Sequence, residues 1–277
     1  MSRFEIFHDA GSSLLHSKRV WLIQFVANPL LFALFVGWLL LPVATEFHLL
    51  LNGLVIIVFV AAALVLHAGT LNFYSEQNRG ENRVARVAFG RAARNIFAIT
   101  ACAALLFVLW ALLDSTESLQ LTLPFYVRSL LPEFIRQHLD PWWFQISLEG
   151  IVFAIRWVLI PGLVLPLLVE AASSGFRAFG KPGCAAVINS AKRVSYWLVL
   201  LLAAVAGFIA PASLMEWSPE FKNPTLHLEA ISLGARLSAA YILAVASWLL
   251  VCSIVGCLNR PVTVTVTVND ASGNPAA

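Results

Sequence analysis

Six runs of apolar residues, each close to the length that crosses a bilayer, limit this chain more than any other feature. About 20 residues of helix cover the ~30 Å of hydrocarbon in a membrane. The runs are Val20–Ala44, Leu49–Asn72, Asn95–Asp114, Leu148–Ala171, Tyr196–Ala212 and Leu228–Leu258. Inside a bilayer every backbone N–H and C=O must find a partner within the protein, so runs of this length predict helices. Composition agrees: 60% of the 277 residues are hydrophobic and 12% are charged, about half the charge of an ordinary soluble domain. A soluble globular enzyme, a disordered chain and a disulfide scaffold are excluded. With a formal net charge of +3 there is no broad basic surface for a nucleic-acid backbone. The first run follows Lys18-Arg19 and is too long for a cleaved signal peptide, which predicts a retained span.

The basic residues orient the spans. Of the 18 lysines and arginines, thirteen fall before the first span, after even-numbered spans or beyond the last. Arg128, Arg136 and Lys222 fall on the other side, and Arg156 and Arg236 lie within spans. Cytoplasmic loops carry such an excess, so both termini are expected in the cytoplasm and the chain in a plasma membrane. Cys102, Cys184, Cys252 and Cys257 form no C-x-x-C motif and read as small packing residues.

Internal similarity divides the spans into pairs. Lys18-Arg19-Val20-Trp21-Leu22 reappears as Lys192-Arg193-Val194-Ser195-Tyr196-Trp197-Leu198, with a weaker form at Arg94-Asn95-Ile96-Phe97. Leu148-Glu149-Gly150 with Arg156 matches Leu228-Glu229-Ala230 with Arg236. The reading is one polytopic domain over residues 1–259, built from three parallel hairpin repeats (about 1–72, 73–172 and 173–259). Residues 260–277 form a cytoplasmic tail, expected to be disordered, with an alternating Val/Thr stretch from Val262 to Val268. Each hairpin follows a segment able to form an amphipathic cytoplasmic helix. Phe4, Phe7, Leu14 and Leu15 mark the first, Val84, Val87 and Phe89 the second, and Cys184, Val187 and Ile188 the third. Such helices place basic residues against anionic lipid, the candidates being Arg83, Arg86, Arg91, Arg94, Lys192 and Arg193. Between Ser115 and Ser147 the longest outer connection contains Pro132–Leu139, which predicts a short interfacial helix.

No metalloprotease, nucleophile-elbow or phosphate-loop motif occurs, so no catalytic residue, metal ligand or cofactor is assigned. The sharpest chemical feature is the duplicated Glu-x6-Arg, Glu149/Arg156 and Glu229/Arg236. Seven residues return a helix nearly to the same face, so each arginine is expected to meet its own glutamate or the other repeat's. Intramembrane charge is a functional-site hypothesis by default. Asn28-Pro29 and Pro161-Gly162 add backbone breaks of the kind that line transporter sites. Asn28, Glu149, Arg156, Pro161, Glu229 and Arg236 therefore form the candidate polar site. The threefold pattern of a basic amphipathic segment followed by a hairpin resembles the membrane domain attached to some bacterial glycerophosphodiester phosphodiesterases and its six-helix relatives. That resemblance covers most of the chain in layout, implies an all-helical membrane fold and transfers no functional residue. The expected role is a non-catalytic accessory or scaffold that binds lipid or a membrane protein partner. The alternative is a small-solute or lipid transporter with a midplane site at Arg156 and Arg236.

Overall fold

A computed structural model describes residues 10–15, 17–41, 45–78, 85–136, 138, 140–217, 219 and 225–258. Every regular element among them is helical. We label them α1 (Lys18–Leu39), α2 (Glu46–Asn78), α3 (Ala85–Arg94), α4 (Ile96–Asp114), α5 (Glu117–Leu130), α6 (Pro141–Ala154), α7 (Ile160–Ser174), α8 (Lys181–Ala191), α9 (Val194–Ala204), α10 (Ala210–Glu216) and α11 (Leu226–Leu258). A π-helical turn, Ile155–Leu159, joins α6 to α7, and a second, Val205–Ile209, joins α9 to α10. Six helical stretches are long and apolar enough to cross a membrane: α1, Glu46–Glu76, α4, Trp142–Phe179, Val194–Glu216 and α11. These correspond one for one to the six apolar runs. The first ends at Leu39, earlier than expected, because Pro42 disfavours helical backbone in the residue before it. The fourth starts earlier than expected. Pro141 occupies the first helical position, where its missing N–H costs nothing, and Asp140 caps it by accepting from Trp142 N at 3.0 Å.

Hydrogen bonds between distant residues show which ends of the helices lie together. Ser17 Oγ and Tyr74 OH are 2.5 Å apart, Asn95 Nδ2 donates to Ala172 O at 2.9 Å, and Ser253 Oγ donates to Ala10 O at 2.8 Å. The starts of α1, α4 and α9 thus share one end of the bundle, the base, with the last turns of α2, α7 and α11. The core lies in this half. Leu249, Cys252, Ile254 and Val255 of α11 are buried among Val20, Leu71, Tyr74, Val169, Tyr196 and Val199. In α11, 61% of the most apolar stretch is enclosed by protein, against 11% in α1, so α11 is the most enclosed of the six, while α4 packs on α7 and α2 instead. Gly256 makes the enclosure of α11 possible: a Cβ there would stand 2.7 Å from the backbone of Tyr74. Away from the base, Leu30, Phe32, Leu49, Leu50 and Ile57 are exposed on the outside of the helices.

Prolines interrupt the spans, and neighbouring side chains repair the interruptions. A helical proline lacks the N–H that its i−4 carbonyl would accept. Pro29 orphans Phe25 O, which accepts from Tyr241 OH of α11 at 3.2 Å. Pro166 orphans Gly162 O, which accepts from Tyr196 OH of α9 at 2.7 Å. Before Pro161 the register widens: Ile160 N–H bonds to Ile155 O, five residues back. The next bond of that register would run from residue 161 to Arg156 O, and there Trp110 Nε1 of α4 donates instead at 3.0 Å. The expected breaks are therefore sealed into continuous spans rather than left open.

The short helices at the base hold to the bundle. Trp21 Nε1 donates to Leu14 O at 3.0 Å and Trp197 Nε1 to Ala191 O at 2.9 Å, so an indole near the start of a span ties down the segment before it. In α3, Ala88 and Ala92 are buried, Asn72 Nδ2 donates to Ala88 O at 3.3 Å, and Phe89 packs over Gly69. In α8 the buried residues are Gly183, Ala186 and Ser190, while Cys184 and Ile188 face outward. Phe4, Phe7, Val84 and the Val262–Val268 stretch lie outside the described residues.

Candidate functional site

The sequence-derived polar residues do not converge on one midplane site. Arg156 Nη2 pairs with Asp114 Oδ1, not with Glu149. The cause is local: Trp110 fixes the Arg156 carbonyl against α4, and Asp114 lies one turn further along the same face of α4. Arg236 Nη1 donates to Met215 O, at 3.3 Å, and to Trp217 O. Those carbonyls end α10 and have no helical donor, so a cation there closes the helix C-terminus. Among the described residues neither arginine pairs with Glu149 or Glu229. Glu229 is exposed in the first turn of α11, where the helix dipole favours a negative charge. Asn28 Nδ2 donates to Gln24 Oε1 at 2.9 Å, and Gln24 Nε2 to Thr70 Oγ1 at 2.6 Å, a closed structural network near the base. Pro161 sits inside a sealed helix, as described. Of the six, only Glu149 and Arg156 face a shared cavity.

That cavity lies at the end opposite the base. Beyond Asp114 the chain turns, α5 packs back along α6, and a pocket of about 580 Å³ opens between them. Sequence reasoning read Ser115–Ser147 as an outer connection and assigned no helix over α5, which forms with Pro124 inside it. The helical signal was nevertheless present in Leu119, Leu123, Val127 and Leu130, spaced at three and four residues. The omission hid Glu117 and Arg128, which join Glu149 and Arg156 in the pocket wall. Gln120 and Gln145 add polar groups, and Leu121, Phe125, Val152 and Trp157 complete an apolar lining.

The pocket charges are only partly matched. Glu149 accepts from Gln145 Nε2 at 2.9 Å. Arg128 Nη2 reaches the Arg136 carbonyl at 3.4 Å, a long contact, and its Nε has no partner. Arg156 Nε is likewise buried without a hydrogen-bond partner among the described residues. A buried donor left unmade costs about 1–3 kcal/mol, more when charged, which favours any ligand that brings an oxygen acceptor. Trp157 in the pocket wall is backed by other rings: it lies 4.0 Å from Phe208 between centroids, tilted, and meets Trp110 edge-on at 5.3 Å. Trp157 and Phe208 each belong to one of the two π turns. At the start of α6, Trp142 and Trp143 are more than half exposed.

The expected basic contacts at the base are placed separately. Arg86, Arg94 and Lys192 are exposed and Arg193 is half-buried. Arg91 turns inward, its Nη1 2.6 Å from Glu76 Oε1, because Glu76 is a buried carboxylate that needs a cation. Arg83 lies outside the described residues. No family model, curated protein or solved structure matches the chain.

Proposed function

We propose that this is a multi-pass integral membrane protein, its base and both termini on the cytoplasmic side of the plasma membrane, that acts as a non-catalytic accessory and binds lipid in the α5–α6 pocket. The observation that carries the reading is the pocket itself: apolar walls and unsatisfied arginine donors occur together at one end of six membrane-length helices. An amphiphile at the headgroup level presents both kinds of surface at once. The exposed Trp142 and Trp143 at the start of α6 fit that level, since indoles prefer the interface. At the base, Arg86, Arg94 and Lys192 supply a second, diffuse contact with anionic headgroups, each basic residue near the surface contributing about 1 kcal/mol.

A transporter reading draws on the paired π turns, since such turns recur at functional sites. It requires continuity from the pocket toward the base, and on that side Val158, Tyr196 and Leu200 are buried in the packed core. The accessory reading is preferred for that reason.

The experiment is photo-crosslinking with a phospholipid bearing a diazirine in its acyl chain, using the full chain in proteoliposomes. Enriched adducts on the peptides containing Phe125 and Val152, reduced by Phe125→Glu, are expected. Labelling spread evenly over all lipid-facing spans, unchanged by that substitution, would refute a dedicated pocket.

A further inference from the structure

Resting on the lipid-pocket reading, we infer that the α5–α6 pocket selects a phospholipid whose head carries both a phosphate and a primary amine, of the phosphatidylethanolamine type. The wall holds two arginines, Arg128 and Arg156, and two glutamates, Glu117 and Glu149. Arg156 already shares its charge with Asp114, so the field in the pocket is not positive overall. A purely anionic head would gain the arginine donors but would also meet two carboxylates at close range, which disfavours it. A head with separated charges satisfies both pairs. Its phosphate oxygens accept from the guanidinium N–H groups of Arg128 and Arg156 in the pocket wall, and its ammonium donates to the carboxylates.

Hydrogen-bonding capacity separates the two common zwitterionic heads. Glu149 Oε1 accepts only from Gln145 among the described residues, which leaves the rest of the carboxylate for a further donor. A primary ammonium has three N–H groups to offer, and a trimethylated one has none. The apolar walls at Leu121, Phe125 and Val152 then take the first part of an acyl chain. A free head group such as phosphoethanolamine lacks that contribution and binds far more weakly than the lipid.

The test is titration of the purified full chain in one detergent, followed by native mass spectrometry. The lipids carry identical acyl chains and ethanolamine, choline or glycerol heads, and free phosphoethanolamine forms a separate arm. A charge-assisted hydrogen bond corresponds to about tenfold or more in affinity, so the ethanolamine lipid should bind about tenfold tighter than the choline or glycerol lipids. Glu149→Gln, an exposed position, should erase that preference while leaving thermal stability unchanged. Arg128→Gln should weaken the ethanolamine and choline lipids together. Equal or tighter binding of the glycerol lipid, still weakened by Arg128→Gln, overturns the zwitterion assignment and keeps the lipid pocket. Lipid binding insensitive to all of these substitutions overturns the pocket reading itself. Free phosphoethanolamine binding as tightly as the lipid would make this a soluble-metabolite site and overturn both.

Discussion

Replacing Tyr196 by phenylalanine tests whether prolines in these spans depend on hydroxyl donors from neighbouring helices. Tyr196 is fully buried, and its OH lies 2.7 Å from Gly162 O, the carbonyl that Pro166 deprives of its helical donor. Tyr196→Phe retains the ring and its packing but strands the carbonyl in an apolar setting, at a cost of about 1–3 kcal/mol. The second perturbation is Pro166→Ala. It removes part of a fully buried ring, a loss of about 1–2 kcal/mol, and returns an N–H to position 166 within bonding distance of Gly162 O. In that background the hydroxyl is redundant, so Tyr196→Phe should cost less than about 0.5 kcal/mol, and the two changes should couple by about 1–2 kcal/mol. The assay is unfolding by denaturant titration in one fixed detergent, for the parent, both single variants and the double variant. Strict additivity would refute the repair argument, because the hydroxyl would then be contributing to something other than the orphaned carbonyl.

The remaining predictions concern packing, charge and orientation. Gly256→Ala should destabilise by about 1–3 kcal/mol, since its Cβ would meet Tyr74 backbone that cannot turn aside. Gly69→Ala, which meets the Phe89 ring, should cost less, and Gly53→Ala, which meets open space, should be neutral or stabilising; heating followed by size-exclusion recovery ranks the three. Asp114→Asn should change stability by less than about 1 kcal/mol, because the Arg156 pair is partly exposed on both sides. By freeing Arg156 it should also raise affinity for the glycerol-headed lipid in the same mass-spectrometric titration. Reporter fusions after Arg94 and Arg193 should read as cytoplasmic and one at Gln137 as external; a reversed result at any of the three would overturn the orientation.

The spans were legible because a membrane-length apolar run has few folded outcomes. Two boundaries were not: the first helix stops at Leu39, short of Ala44, and the fourth begins at Pro141, ahead of Leu148. What the sequence could not disclose was the azimuth of the side chains. Spacing aligned Glu149 with Arg156 on an ideal helix, yet the partner came from α4, placed there by the Trp110 indole and the widened turn before Pro161. Arg236 was absorbed by carbonyls ending α10, groups that do not appear in any residue pattern. The pocket required α5, which fell inside the outer connection where only Pro132–Leu139 was read as helical. Its arginine–glutamate wall joins two stretches of chain that no sequence spacing brings together.

The enclosed position of α11 also has a meaning in time. Val20 and Leu71, which pack with Leu249, leave the ribosome long before it does. At about 5–20 residues per second, roughly 10–45 s pass between the synthesis of Val20 and that of Leu249. Throughout that interval the Phe25 carbonyl waits for Tyr241 and the Ala10 carbonyl for Ser253. The earlier helices can already pack on one another, α1 on α2 and α4 on α7, but the contacts that α2 and α9 make with α11 wait for the last helix. A nascent chain halted before Tyr241 would therefore keep the Gln24–Thr70 and Ser17–Tyr74 hydrogen bonds but leave the Phe25 and Ala10 carbonyls without these two donors.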